Sequence, residues 1–326
     1  MAGPYVGRDT GVGIGVESTF KTAVAASRWY RVTSFSMTPR RARAVIPDFD
    51  QSAGGFERYR AIVGEQVEFE MEIVGHYTGG GLELLHRLGM GGAWVDAGGP
   101  TYTHTLDPSV SIPSFTLRPI LGSDASGAAS LGAIISGCKI SSLSLTCQAV
   151  EGDAAYTRCR IRGLGASLDS VGTAESPSYG TDNPIIYSQI AKAAWNSATY
   201  EVSQWTLELT SPIEGVREFA AQEFGEIWVT GQRTAQMTIQ RLIRDNAFHT
   251  AHFAGTESDL VLTATGSSPD QVAWTLYNAE VVDPPSRGYS SAGLISETVV
   301  FRGRSAGGDD TLRVVFTNAA AAAEAS

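Results

Sequence analysis

The sequence contains little cysteine. Its 326 residues include only Cys138, Cys147 and Cys159, and no Cys-x-x-Cys pair occurs. An odd number of cysteines without regular spacing excludes a disulfide framework and indicates folding in a reducing compartment. For Cys147 and Cys159 we favour small core side chains, with a pair between them as the alternative.

Long apolar runs are also missing. No stretch approaches the ~18 apolar residues of a membrane span, and no basic N-terminal region precedes an apolar one. We therefore expect neither a signal peptide nor any association with a membrane.

Charge is scarce and biased toward one sign. Only 18% of the residues are charged, and the formal net charge is −10. A protein that grips nucleic acid by its phosphates needs clustered lysine and arginine, so the negative balance argues against this class. Low charge with 36 glycines favours strands, turns and large surfaces buried against partners.

Catalytic and cofactor motifs are absent. Gly-x-Ser-x-Gly does not occur, and Gly79-Gly80-Gly81 lacks the Gly-Lys-Ser/Thr ending of a phosphate loop. Asp245, His249 and His252 have the spacing of one helix face, but a further metal ligand is missing. The sequence thus predicts no catalytic, cofactor-binding or metal-binding residue. We expect a protein that is not an enzyme.

An internal repeat is the most informative feature present. Residues 32–37 (VTSFSM) match residues 202–207 (VSQWTL), 170 positions later, and residues 161–163 (IRG) match residues 301–303 (FRG), 140 positions later. An extra segment of roughly thirty residues in the first copy reconciles the two offsets, and the Pro/Ser/Gly-rich stretch at about 108–137 is our candidate. We expect a mainly β protein with two tandem β-sandwich or barrel domains.

The domain boundaries follow from the repeat. We place the first domain at residues 1–165, a Ser/Gly/Pro-rich linker at 166–194, the second domain at 195–317 and an Ala-rich tail at 318–326. Each domain runs through a strand, a long arm, a second strand and a short helix before its closing strands.

The two arms, at residues 39–64 and 211–231, lose the periodicity of regular structure. Structureless loops of this length inside a compact domain tend to be functional, and their aromatic and arginine side chains indicate ordering against something else. For the basic cluster we weigh salt bridges at an interface against direct contact with DNA. The candidate arm residues are Arg40, Arg41, Arg43, Phe49, Phe56, Tyr59, Phe219, Phe224 and Trp228.

Residues 65–74 alternate clearly between polar and apolar side chains and predict a strand. Its apolar face carries Val67, Phe69, Met71 and Ile73, which we assign to the core. The opposite face would be an acidic ribbon, either functional or an ordinary solvated strand face. The ribbon consists of Glu68, Glu70 and Glu72.

Three segments carry a family resemblance: residues 13–23 (GIGVESTFKTA), residues 277–282 (YNAEVV) and the closing 293–301. They resemble the major tail tube proteins of long-tailed, non-contractile bacteriophages. The two copies are similar to the subset in which a fused pair replaces two subunits.

The resemblance implies a structural virion protein that self-assembles into stacked rings, each a homotrimer with pseudo-sixfold symmetry. One sheet of each domain would line the lumen, with Glu68, Glu70 and Glu72 as candidates for that face, and the arms would reach other subunits. The tube would conduct genomic DNA without sequence-specific binding. It would meet the tape measure, tail terminator and distal tail proteins, in the virion tail and, during assembly, in the host cytoplasm.

A carbohydrate-binding or adhesive β-sandwich module of a virion is the alternative. Trp94, Trp205 and Trp274 could stack on sugars, although Trp205 and Trp274 fall on alternating strands where core packing is commoner. A glycoside hydrolase is disfavoured because no carboxylate pair stands out.

Overall fold

The computed structural model describes residues 11–49, 57–77, 81–98, 101–123, 130–152, 155–171, 177–179, 183–217, 223–288, 295–305 and 311–319. Within these ranges the side chains of 43–49, 57–63, 121–123, 130–131 and 170–171 are not described. Twenty strands and two helices lie in the described residues, which confirms the mainly β class.

The first half contains β1 (Gly11–Val16), β2 (Arg28–Phe49), β3 (Glu57–Val74), α1 (Leu82–Met90), β4 (Val95–Ala97), β5 (Tyr102–Leu106), β6 (Phe115–Ser123), β7 (Ser130–Gln148), β8 (Arg158–Gly165) and β9 (Ser167–Val171). The second half contains β10 (Ala193–Trp195), β11 (Ala198–Tyr200), β12 (Gln204–Thr210), β13 (Ile213–Arg217), β14 (Phe224–Val229), β15 (Thr234–Leu242), α2 (Ala247–Ala254), β16 (Glu257–Thr265), β17 (Gln271–Val281), β18 (Ser286–Gly288), β19 (Ser296–Arg302) and β20 (Leu312–Asn318).

One antiparallel sheet, which we name the central sheet, runs through both halves. Its order is β2–β3–β8–β7–β12–β15–β19–β18. The halves join where Ser142–Gln148 of β7 pair with Gln204–Thr210 of β12, seven residues in continuous register. We call this contact the internal seam.

A second layer covers the apolar face of the central sheet. In the first half it consists of β1, β6, β9 and the beginning of β7. In the second half it consists of β10, β16, β17 and β20, extended by β5. The core lies between the layers and forms one cluster across both halves. Val67, Phe69, Met71 and Ile73 are buried in it as predicted.

The sequence repeat is a repeat of strand register. Phe35 of β2 lies opposite Met71 of β3, and Trp205 of β12 lies opposite Ile239 of β15. Phe35 and Trp205 are 170 positions apart, which is the first offset of the sequence repeat, and Met71 and Ile239 are 168 positions apart. The β8–β7 pair of the first half likewise corresponds to β19 with the end of β17.

The unmatched segment of the first half is β4–β5, not residues 108–137. Those residues contain β6 and the beginning of β7, whose counterparts are β16 and β17. Proline, serine and glycine around β6 gave the stretch the composition of an insertion, yet the side chains of β6 at 115–120 are mostly buried. The true extra strand, β5, pairs with β20 and so adds to the second layer of the other half.

Two further boundaries need correction. The predicted linker at 166–194 includes β9, which pairs with β7, and Ile185, which is buried and bonded to Gly75 and Thr157 through its backbone. Strand β9 and Ile185 therefore pack into the body of the protein. The predicted tail begins one residue too early, because Asn318 is buried at the end of β20. Residues 320–326 lie outside the described residues.

Both predicted helices exist. Helix α1 is buried and follows Gly81, whose φ of 72° favours glycine and whose carbonyl accepts a hydrogen bond from Tyr30 at 2.9 Å. The sequence predicts the second helix at 242–253 with Phe248 and Phe253 as buried anchors, but α2 begins only at Ala247 because β15 continues to Leu242. Phe248 anchors α2 in the core as predicted, whereas Phe253 is 72% exposed, which makes its predicted anchoring wrong.

Polar contacts tie the halves together around α1. Arg233 of the second half donates to the carbonyls of Gly89 (2.7 Å) and Ser109 (2.6 Å). Asn318 donates to Glu83 Oε1 at 2.9 Å. The buried indole of Trp274 donates to His86 Nε2 at 3.2 Å.

The buried partner of Trp274 is a neutral imidazole. His86 Nε2 accepts from the indole, so Nδ1 carries the proton and donates it to the Leu82 carbonyl at 2.7 Å. Burial lowers the pKa of His86 to about 4 and outweighs the bond to Leu82, which raises it.

Replacing Leu207 by Ala should lower the free energy of unfolding by about 2–5 kcal/mol, because this fully buried side chain packs across the internal seam. The matched control is Met37→Ala at the equivalent, half-buried position of β2, where we expect a clearly smaller loss. Urea unfolding of the dispersed chain, followed by tryptophan fluorescence, measures both. Equal losses would contradict the expected difference in burial between Leu207 of the joined strand and Met37 of the open one.

Acidification should destabilise the fold through His86. The unfolded chain binds the proton near pH 6.5 and the folded chain only near pH 4, so stability is lost as the pH falls between these values. The loss from this group amounts to roughly 3 kcal/mol. Urea unfolding at several pH values should show a shallower acid dependence for His86→Gln than for the natural chain. Parallel profiles would show that His86 carries no such linkage.

Candidate functional site

The central sheet ends in two edges. At one edge, residues 34–41 of β2 pair with β3 and with no other strand in the described part of the chain. At the other edge, β18 and Val281 of β17 pair with β19. Strand β12, the counterpart of β2, is paired on both sides. The equivalent strands β2 and β12 therefore differ in one respect: β12 is joined to the other half, and β2 is an open edge.

Burial at these edges differs accordingly. Trp205 and Leu207 of β12 are 2% and 0% exposed. Their counterparts on β2, Phe35 and Met37, pack against the same core but remain half-buried. When apolar side chains are incompletely covered along a strand edge, a further strand that pairs with this edge can cover them.

The first arm is a β-hairpin, which corrects the prediction of a structureless loop. Strands β2 and β3 continue to pair out to Phe49 opposite Glu57. Two prolines and register shifts at Ala42/Arg43 and Ile46/Phe49 interrupt the alternation that would have revealed the strands.

The basic cluster of the first arm pairs within its own hairpin. Arg40 lies 2.8 Å from Glu68, and Arg41 lies 3.0 Å from Glu65. Both arginine side chains stay more than half exposed, so their assignment to contacts between subunits stays a prediction. Three candidates, Arg43, Phe49 and Tyr59, are described by their backbone alone, and Phe56 lies outside the described residues.

The second arm is also a hairpin, formed by β13 and β14, and it folds onto the first half of its own chain. Phe224 is 3% exposed and clusters with Ile227 and Ala166, so its predicted burial against another subunit is wrong. Lys139 of β7 anchors the hairpin by donating to the Ile227 carbonyl at 2.6 Å. Phe219 lies outside the described residues.

Trp228 remains available on the second arm. It is 54% exposed and borders a groove of about 600 Å³, lined also by Val110, Ile112 and Arg233. Its assignment to a contact between subunits stays a prediction.

The outward face of the central sheet is charge-paired rather than acidic. Glu70 accepts from Arg160 and, at 2.9 Å, from Arg162, while Arg158 lies 3.3 Å from Glu72. Burial alone would raise the pKa of Glu70, but the bonds and charges of Arg160 and Arg162 outweigh it and lower the pKa. The signal for these partners is the alternation Arg158, Arg160, Arg162 on β8, which the sequence reading did not connect to β3.

The same face changes character in the second half. There it presents mainly hydroxyl and amide groups, and Thr146 and Thr206 face each other across the internal seam with oxygens 3.3 Å apart. The side chains of this sector are Gln204, Thr206, Glu208 and Thr210 of β12 and Thr234, Gln236, Thr238 and Gln240 of β15.

The remaining candidates for chemistry have structural partners. Asp245 binds Arg241 at 2.8 Å, and His252 bonds to the Val281 carbonyl at 2.9 Å. Among the described residues, no group of three or more His, Cys, Asp or Glu is arranged to hold a metal ion. All three cysteines are free and buried, as favoured for Cys147 and Cys159.

The tryptophans of the carbohydrate alternative do not form a platform. Trp205 and Trp274 are buried against each other, with ring centroids 5.1 Å apart. Trp94 is half-buried with its ring edge-to-face against Phe316.

Both helices of the described part are shorter than a membrane crossing requires.

No curated protein matches the chain. A family model described as phage tail tube protein matches residues 7–303, through both halves and the central sheet that joins them. The chain therefore belongs to the phage tail tube protein family.

Proposed function

We propose that this chain self-assembles into rings that stack into a tube of a long, non-contractile phage tail and conduct the genome to the host. Three chains would form each ring, and the two halves of each chain would occupy six equivalent places. The role is structural, and no enzymatic step is part of it.

The observation that supports this proposal best is the internal seam. Two copies of one unit already join by strand pairing within the chain, and the equivalent edge of each copy is open at the ends of the central sheet. Repeating that contact between chains extends the central sheet, and closing it into a ring removes both open edges of that sheet. Eight strands of the central sheet per chain would give a barrel of twenty-four strands from three chains.

The outward face of the central sheet would then line the lumen. Glu68, Glu70 and Glu72 stay our candidates for that wall, in the form of ion pairs with arginines. Pairing leaves few arginine charges available to phosphates, and the second half adds neutral hydroxyl and amide groups. Such a wall offers DNA no strong hold and lets it slide.

Other surfaces would serve the contacts between rings and with other tail proteins. The first arm extends beyond the central sheet, and Trp228 is exposed on the second arm. We propose that these surfaces contact neighbouring rings, and that the tube ends meet the tape measure, tail terminator and distal tail proteins. Assembly would take place in the host cytoplasm.

Negative-stain electron microscopy of the purified chain over a concentration series tests the assembly. We expect rings or hollow tubes with threefold or pseudo-sixfold symmetry and a central opening of about 20 Å or more, wider than the ~12 Å major groove and sufficient for a duplex. Dispersed particles at every concentration, with and without the tail partners, would refute the proposal. Binding to a glycan array by such particles would favour the carbohydrate-binding alternative.

Changing the charge of the proposed wall should make it retain DNA. In the triple variant Glu68→Gln, Glu70→Gln, Glu72→Gln, the arginines paired with these residues lose their carboxylate partners, and each chain loses three negative charges. We expect duplex DNA to be retained by assembled variant at low salt and released as salt rises, because phosphate binding is salt-dependent. Co-sedimentation of assembled protein with DNA measures this.

The matched control removes three exposed carboxylates outside this face, Glu151, Glu201 and Glu257, by the same change to Gln. This control has the same net charge but should leave retention at the natural level. Equal retention by both triple variants would mean that net charge, and not the wall, determines the effect.

A further inference from the structure

We propose a defined register for the seam between chains, in which β2 of one chain pairs with residues 281–288 of the next. This inference rests on the proposed ring and specifies its interface. It takes the internal seam as the template, since β12 and β2 are equivalent strands with conserved register toward β15 and β3.

The residues that β2 contributes to the seam between chains follow from its equivalence with β12. Each β12 residue corresponds to the β2 residue 170 positions earlier, so Thr206 corresponds to Ser36 and Leu209 to Pro39.

The residues opposite β2 follow from the strands that pair with β8 and β19. Leu143 lies opposite Ile161, and Val281 lies opposite Phe301, the counterpart of Ile161. Thr146 lies opposite Arg158 in the same way that Ser286 lies opposite Thr298. Val281 and Ser286 therefore occupy the places of Leu143 and Thr146.

Applying the residue pairs of the internal seam to these equivalent positions gives the register of the seam between chains. Thr146 lies opposite Thr206, so Ser286 should lie opposite Ser36, and Leu143 opposite Leu209 places Val281 opposite Pro39. The chemistry agrees with this register. A hydroxyl meets a hydroxyl, as it does in the internal seam, and an apolar side chain meets an apolar one. The half-buried Phe35 and Met37 of β2 become covered as Trp205 and Leu207 are.

The seam between chains is weaker than the internal seam. Where Leu145 continues β7 without interruption, the second half has Asp283-Pro284-Pro285 between Val282 and β18. Prolines have no N–H to donate, and Pro39 removes a further donor from β2. Rings should therefore separate into intact chains before the internal seam opens.

An engineered disulfide tests the register on the full chain. Ser36 and Ser286 are both exposed, and directly opposed Cβ atoms about 4.5–5.5 Å apart are within reach of a disulfide after small adjustments. We expect the double variant Ser36→Cys, Ser286→Cys to form covalent dimers and trimers under mild oxidation, which disappear on reduction in gel electrophoresis. Each single variant controls for other thiol pairs, and the three natural cysteines are buried.

The matched control shifts one cysteine by two residues along the same exposed face. In Thr38→Cys, Ser286→Cys the Cβ atoms would be diagonal neighbours about 7–8 Å apart, too far for a disulfide. We expect cross-linking at least about fivefold lower than in the directly opposed pair.

Electron microscopy of the same samples separates the two levels of the proposal. Rings with efficient cross-linking only in the shifted pair would overturn the register, and rings with no cross-linking in either pair would overturn the choice of strands. Both results leave the ring itself intact. Absence of rings together with absence of cross-links would refute the ring as well.

Discussion

The constraint on which the rest of this structure depends is that strand edges need partners. Each edge of a β-sheet presents a row of backbone donors and acceptors that another strand can satisfy. Inside this chain the need is met where β7, the last strand of the first copy in the order of the central sheet, pairs with β12, the first strand of the second copy in that order. Because the two copies are equivalent, a contact that satisfies the middle of the chain also specifies the kind of contact that its ends require.

The same constraint explains how the two layers are linked. Strands β7 and β17 each begin in the second layer and end in contact with the central sheet. Strand β5, the extra element of the first half, adds to β20 on the second half. The two copies therefore share a core as well as a sheet. Contacts such as Arg233 to Gly89 and Trp274 to His86 make the pair behave as one body.

What could be predicted from the sequence was local. The alternation of Val67, Phe69, Met71 and Ile73 identified β3 and its buried face, and the repeat identified which strands are equivalent. What could not be predicted depended on neighbours from distant parts of the chain. Phe224 has the composition of an exposed arm, yet it is buried because the second hairpin folds back onto Ala166. Glu70 lies in an acidic pattern in the sequence, but β8 places Arg160 and Arg162 beside it.

Fusing two copies allows equivalent positions to diverge, which identical separate subunits cannot do. The internal seam carries seven uninterrupted pairs and buried Trp205 and Leu207, whereas the open edges carry Pro39, Pro284 and Pro285. An uninterrupted seam maximises stability, while prolines at an edge restrain pairing with unintended strands before assembly. Divergence extends to the outward face, where the first half carries arginine–glutamate pairs and the second carries threonine and glutamine. A ring of three such chains would alternate strong with weak seams and charged with neutral sectors. Its threefold symmetry would therefore be a chemical property of the wall as well as a consequence of how the chain is connected.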